Sequence, residues 1–296
     1  MIDTNAPSNI PRGILWMLGT VCCFVLLDAT MKILAQTYPV PQVAWARFVF
    51  HVVILLCVFN RRVFYILKTS HPLHQMARSG LMLTITVLTI ISLKYIPLAS
   101  LSALMMMGPI FVTALSVPLL GERVGIHRWA GVIVGFTGAL IIIRPGSSVT
   151  DPVSLLVLFI ALCYALFQIS TRILNRSDSM DTTLLYSGLI GVGVMSVWVP
   201  FDWVTPDLEG WARLVSLGGF GAAGHFCMIR ALSMAPAAVI SPFGYTNIIG
   251  ATMMGYLLFS HIPDAMTVLG AAIIITSGLY IFYRESRSRK KEKTNP

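Results

Sequence analysis

Residues 132–143 read VIVGFTGALIII, an apolar run broken by one threonine and by no charge. The run does not alternate apolar with polar, so it is not a strand of a membrane barrel, which alternates over segments of about ten residues. Extended back to residue 126 it approaches the roughly 20 residues that a spanning helix needs. Outward from it, similar stretches occupy about 12–36, 40–60, 77–95, 97–119, 152–172, 183–201, 211–231, 236–259 and 264–283. The chain has 296 residues, of which 56% are hydrophobic and 11% charged. A soluble domain carries roughly 25% charged residues, and a disordered chain carries few apolar ones. The reading is an all-α polytopic membrane protein with ten transmembrane helices. The longest polar interruptions are 61–76 and 284–296. Residues 14–27 are followed by Asp28, Lys32 and Gln36 rather than by a small-residue cleavage site, so they read as the first span and not as a signal peptide.

The net charge of +9 is distributed as a membrane protein requires. If the N-terminus is cytoplasmic, alternating loops place sixteen of the 21 Lys and Arg residues on that side, Arg78, Arg172, Arg230 and the tail residues 284–293 among them. The opposite side collects only Lys94, Arg144 and Arg213, while Lys32 and Arg47 fall within spans. This bias predicts both termini in the cytoplasm and an even number of spans. The basic tail reads as an anchor to anionic lipid, with no nucleic-acid role.

The chain also repeats. A shift of 139 residues superposes Pro97 on Pro236, Ala99 on Ala238, Ser102 on Ser241, Gly131 on Gly270 and Thr137 on Thr276. A shift of 140 superposes Lys32 on Arg172. Five spans per half is an odd number, so the second half is inverted relative to the first. That is the architecture of secondary transporters, whose substrate site is expected near the midplane between the halves. The predicted units are 1–146, 147–285 and a basic tail at 286–296.

The segment PLLGERVGIHRWAGVIVGFTGALIIIRPG at 118–146 resembles the end of the first repeat of the EamA family, in the drug/metabolite transporter superfamily. WARF at 45–48, IRALSMAPAAVISPFGYT at 229–246 and FSHIPDAMTVLGAAIIITSGLYIFYRE at 259–285 extend the resemblance over nearly the whole chain. The last two pieces resemble a bacterial subgroup of uptake carriers. The resemblance implies an inner-membrane transporter of a small polar metabolite, with amino-acid-like compounds, S-adenosylmethionine or riboflavin as candidate substrates. One departure is that Gly121-Glu122 of the first half becomes Ser260-His261 in the second.

Ionisable groups at membrane depth cost at least ~2.5 kcal/mol on insertion scales, so each needs a reason. Asp28 and Lys32 stand one helical turn apart in the first span, and Arg47 lies at similar depth in the second, with His51 a turn beyond. They read either as a charged outer gate or as a pairing that joins the two spans. One acid leaves one cation spare, which suits a substrate carboxylate or phosphate. Span nine offers Ser241, Tyr245 and Asn247 around a break at Pro242. Span four carries a matching break at Gly108-Pro109, after Met105, Met106 and Met107. Interrupted spans in corresponding places point to a binding site. Met106 fits an adaptable cavity wall, Tyr164 and Gln168 share a face of span six, and His225 in span eight is either a substrate contact or an interhelical bond.

Two motifs read as packing. Gly219 to Gly224 spells G-x-G-x-x-G, but no strand precedes it and no Asp or Glu occurs between 210 and 263 to hold a ribose. Gly131 and Gly135 form G-x-x-x-G, which serves either packing or a homodimer face. The five cysteines, all within spans, read as small apolar residues rather than disulfides or metal ligands. No catalytic constellation, metal site, cofactor motif or Walker sequence is expected. The competing classes are an intramembrane enzyme, which lacks paired carboxylates or a nucleophile with its base, and a lipid-binding scaffold.

Overall fold

The computed structural model describes residues 9–121, 125–144, 152–174, 177–234 and 241–294. Within these it leaves aside the side chains of Arg61, Arg128, Ser241, Pro242 and residues 285–294. The described chain is helical: α1 Ile10–Thr37, α2 Val40–Phe59, α3 Pro72–Tyr95, α4 Leu98–Met105, α5 Gly108–Leu120, α6 Ile126–Ile143, α7 Pro152–Leu174, α8 Met180–Trp198, α9 Leu208–Met234, α10 Asn247–Phe259 and α11 Ala265–Thr294. Eight segments are long and apolar enough to cross a membrane, with α4 and α5 counted together, and Trp129–Ile143 is a shorter apolar helix. The ninth expected span is described as a 3-10 segment, Ser241–Thr246, that runs into the 13 residues of α10.

Local chemistry sets the helix ends. Prolines at 11, 41, 72 and 109 stand in first turns, where a missing N–H costs nothing. Ser179 accepts the backbone N–H of Thr182 at 3.1 Å to start α8, and Asp264 accepts that of Thr267 at 2.9 Å to start α11. Helix α5 ends at Gly121 with φ +67°, and α10 ends at Ser260 with φ +55°. The two residues are equivalent at a shift of 139, so the left-handed cap persists although only glycine adopts it without steric cost. Glu122, the other half of the Gly-Glu turn, lies outside the described residues.

Packing follows the repeat. Helix α1 packs on α9 as α7 packs on α3, and α2 packs on α9 as α8 packs on α3. The pairs α2–α8 and α6–α11 each join a helix to its own counterpart, and α4 packs on α10, the counterpart of α5. Lipid gives apolar faces no reason to associate, so close approach depends on small residues. In the α6–α11 seam a Cβ on Gly138 would stand 2.8 Å from the Gly270 carbonyl, and Ser277 donates to the Gly131 carbonyl at 2.5 Å. Gly131 is equivalent to Gly270 and Gly138 to Ser277, so these two contacts are the two-fold images of each other. The Gly131/Gly135 face is therefore taken up by α11 of the same chain, not presented to a second copy. The G-x-G-x-x-G run lies inside α9, where Gly218 abuts Phe50 of α2 and Gly224 abuts Phe24 of α1.

Candidate functional site

Helices α1, α2, α3, α7 and α9 bring their polar residues together between the halves. Asp28 of α1 and Arg47 of α2 are half-buried, and their charges act on each other. Among the described residues no cation lies within 4 Å of the Asp28 carboxylate. Arg47 instead donates to the Thr86 hydroxyl of α3 at 2.6 Å, and that hydroxyl donates to the Met82 carbonyl at 2.8 Å. His51, a turn beyond Arg47, is buried, and its Nε2 has no hydrogen-bond partner among the described residues. Its ring meets that of His225 edge-on at 5.9 Å, and His225 meets Phe24 edge-on at 5.3 Å. His225 also feels the charges of Arg47 and Arg78. One acid thus shares the cluster with two arginines and two imidazoles.

The expected pairing of Asp28 with Lys32 does not form. Lys32 turns away and donates to the carbonyls of Leu93 at 2.8 Å and Ile96 at 2.7 Å, at the carboxyl end of α3. Its ammonium also stands 5.3 Å from the Phe259 ring centroid. Helix C-termini hold carbonyls with no intrahelical donor and a partial negative charge, so they satisfy a lysine as well as a carboxylate does.

Arg78 is the residue that sequence reasoning misplaced. Counted with the cytoplasmic loops, it is buried in α3. Its Nε donates to Thr171 at 2.6 Å, and its Nη1 to the Thr183 carbonyl and the Ser187 hydroxyl, both at 2.9 Å. The guanidinium lies 4.1 Å from the Phe167 centroid, and Phe167 stacks on Tyr164 at 6.3 Å and 15°. The missed signal was the run after it: α3 starts at Pro72, so Arg78 sits two turns inside the helix.

The remaining expected residues divide. Tyr164, Gln168 and Asn247 are half-buried, and Met106 sits half-buried in the turn that separates α4 from α5. Asn247 opens α10 and accepts the Ser102 hydroxyl at 2.6 Å, so it joins the two interrupted spans. Tyr245 points elsewhere: its hydroxyl lies against the backbone of Gly278 in α11, where a Cβ would stand 1.9 Å away. The side chain of Ser241 lies outside the described set. A recess of about 710 Å³ lined by Ile248, Met253, Tyr256 and Val268 is almost wholly apolar and holds none of the charged residues.

Interrupted helices in register, two-fold packing and a polar centre between the halves define a multi-pass membrane transporter. The chain belongs to the EamA-like transporter family, which matches residues 11–144 and again 152–283. It is 29% identical to an S-adenosylmethionine uptake transporter of Rickettsia bellii, over 95% of this chain and 96% of that one. It is 26% identical to a riboflavin transporter of Vibrio cholerae, again over 95% and 96%. A pseudopaline exporter of Pseudomonas aeruginosa is 24% identical over 95% of this chain and 98% of its own length. One solved crystal structure superposes with a TM-score of 0.64 at 16% identity, covering 94% of this chain and 98% of that one, a likeness of fold. A metabolite transporter with a small-molecule substrate follows, and the enzyme and scaffold readings are not favoured.

Proposed function

We propose that the chain is an inner-membrane importer of a small polar metabolite, with S-adenosylmethionine first and another amino-acid-like compound or riboflavin next among its substrates. The observation that carries this reading is the charge balance at the centre. Asp28 makes no ion pair with Arg47 among the described residues, and the cluster keeps net positive charge that the carboxylate of S-adenosylmethionine or of another amino-acid-like compound would neutralise. Tyr164 and Met106 give a flat or sulfur-bearing body soft partners, while Gln168, His225 and Asn247 supply hydrogen bonds. The names of the relatives support the substrate order, and no catalytic step is assigned. The same reading has ten spans in two inverted units, 1–146 and 147–285, with both termini and the basic tail at 286–296 in the cytoplasm.

Uptake of a labelled metabolite panel into proteoliposomes, with and without an imposed proton gradient, tests the assignment. S-adenosylmethionine should be taken up and be competed by its unlabelled form. Arg47→Lys keeps the charge and loses the planar fork, so it should raise the apparent KM about tenfold for carboxylate-bearing substrates with little change in melting temperature. Normal uptake by Arg47→Lys of every substrate in the panel would remove Arg47 from the site.

A further inference from the structure

The charged residues between the halves have used their hydrogen-bonding capacity unequally. Lys32 bonds two backbone carbonyls, and Arg78 bonds Thr171, the Thr183 carbonyl and Ser187. Arg47 bonds Thr86 alone, which leaves most of its guanidinium fork unused among the described residues. Asp28 accepts no hydrogen bond and makes no ion pair among the described residues. Both of these side chains are half-buried and keep an open side.

An acid at membrane depth is held there at a cost, and one without a protein partner points to a partner that arrives. Its complement is a cation able to donate hydrogen bonds. Phe24, one turn before Asp28 on the same face of α1, offers such a cation a ring beside the carboxylate. Asp28 and Arg47 act on each other through their charges, yet more than 4 Å separates the carboxylate from the guanidinium. A molecule seated between them has to present an anion to one and a cation to the other, close together. An α-carboxylate and an α-ammonium on one carbon do that. A lone carboxylate would answer Arg47 and leave Asp28 unpaired beside it.

We infer that Asp28 determines specificity by holding the α-ammonium of an α-amino-acid head whose carboxylate lies on Arg47. The inference rests on the transporter reading and on Arg47 as the carboxylate partner. It narrows the substrates to zwitterionic compounds with that head, whatever side chain follows, and riboflavin, which has none, falls outside it.

The test uses the full-length protein in proteoliposomes. Uptake of labelled S-adenosylmethionine and of labelled methionine is each competed by the unlabelled parent and by its 2-oxo analogue, which lacks the ammonium and keeps the carboxylate. In the wild-type protein the analogue should compete about tenfold more weakly than its parent, the scale of one charge-assisted hydrogen bond. In Asp28→Asn the parent should fall to the level of its analogue and the ratio should close. A structural role alone would weaken parent and analogue alike and leave the ratio standing. Asp28→Glu keeps the charge and moves it by one methylene, so it should narrow the ratio without closing it, and it decides the matter if Asp28→Asn does not fold. Equal competition by parent and analogue in the wild-type protein, or an unchanged ratio in whichever variant folds, overturns the inference. An unchanged ratio with a lost response to an imposed proton gradient would make Asp28 a proton carrier instead. Uptake of methionine without S-adenosylmethionine would overturn the substrate order and leave the Asp28 result standing.

Discussion

The Ser102 hydroxyl donates to the Asn247 side-chain oxygen at 2.6 Å, 145 residues away in sequence. The bond ties α4 to α10, the two helices that adjoin the breaks in spans four and nine. Each break frees backbone groups inside the bundle, and such breaks persist where partners or a cavity satisfy them.

Asn247→Ala leaves the buried Ser102 hydroxyl without this partner, a loss of about 1–3 kcal/mol. Adding Ser102→Ala should cost little more, because the orphaned group goes with it. A double-mutant cycle in thermal unfolding should give a coupling near 1 kcal/mol. Full additivity of the two changes would mean that the bond does not hold the helices together.

Breaking a buried ion pair costs roughly 3–5 kcal/mol. Asp28 makes no such pair, and Lys32 bonds α3 instead. Asp28→Asn should therefore change the melting temperature little, and Lys32→Met added to it should lower stability rather than restore it. Rescue of Asp28→Asn by Lys32→Met would show that the two charges are partners after all.

Arg78→Lys should be one of the more damaging conservative changes in the chain. A lysine cannot reach Thr171, the Thr183 carbonyl and Ser187 together, nor lie flat on Phe167. The expected loss is roughly 2–3 kcal/mol, the scale of hydrogen bonds to a charged group. Unfolding in detergent measures it, and a change within about 0.5 kcal/mol, the range of ordinary surface substitutions, would contradict the arrangement.

Asp264 lies outside the spans at the start of α11. Hydrogen bonds from Thr267, and then from Arg144, hold its carboxyl down to about 2. A depressed folded-state value adds stability above the ordinary carboxylate range and loses it as pH falls from about 4 through about 2. The group is half exposed, so solvent screens most of the effect. Melting temperature should fall over that window in the parent protein, and less steeply in Asp264→Asn. Identical slopes would remove Asp264 from the acid response.

The helical membrane fold and the two-repeat organisation were legible because each rests on many residues at once. The breaks at Gly108-Pro109 and after Ser241 were legible because proline acts through its own missing N–H, whatever surrounds it. Partner choice was not. Lys32 stands one turn from Asp28, yet its side chain meets carbonyls 61 and 64 residues away. Arg78 looked like a loop charge because counting began its helix at residue 77, while Pro72 begins it five residues earlier. Tyr245 looked central by depth alone, but rotation about the helix axis aims it at Gly278, and depth says nothing of rotation.

The joint that Lys32 makes between α1 and α3, an ammonium on backbone carbonyls, has no acidic half to lose. A carboxylate-sealed gate loosens when acid protonates it, and an exposed one weakens as ionic strength rises. Carbonyls do not titrate, and the Lys32 contact is buried from the surrounding electrolyte. That contact therefore stays the same whether the surrounding medium is dilute, saline or mildly acid. The joint between α1 and α3 need not be tuned to any of these.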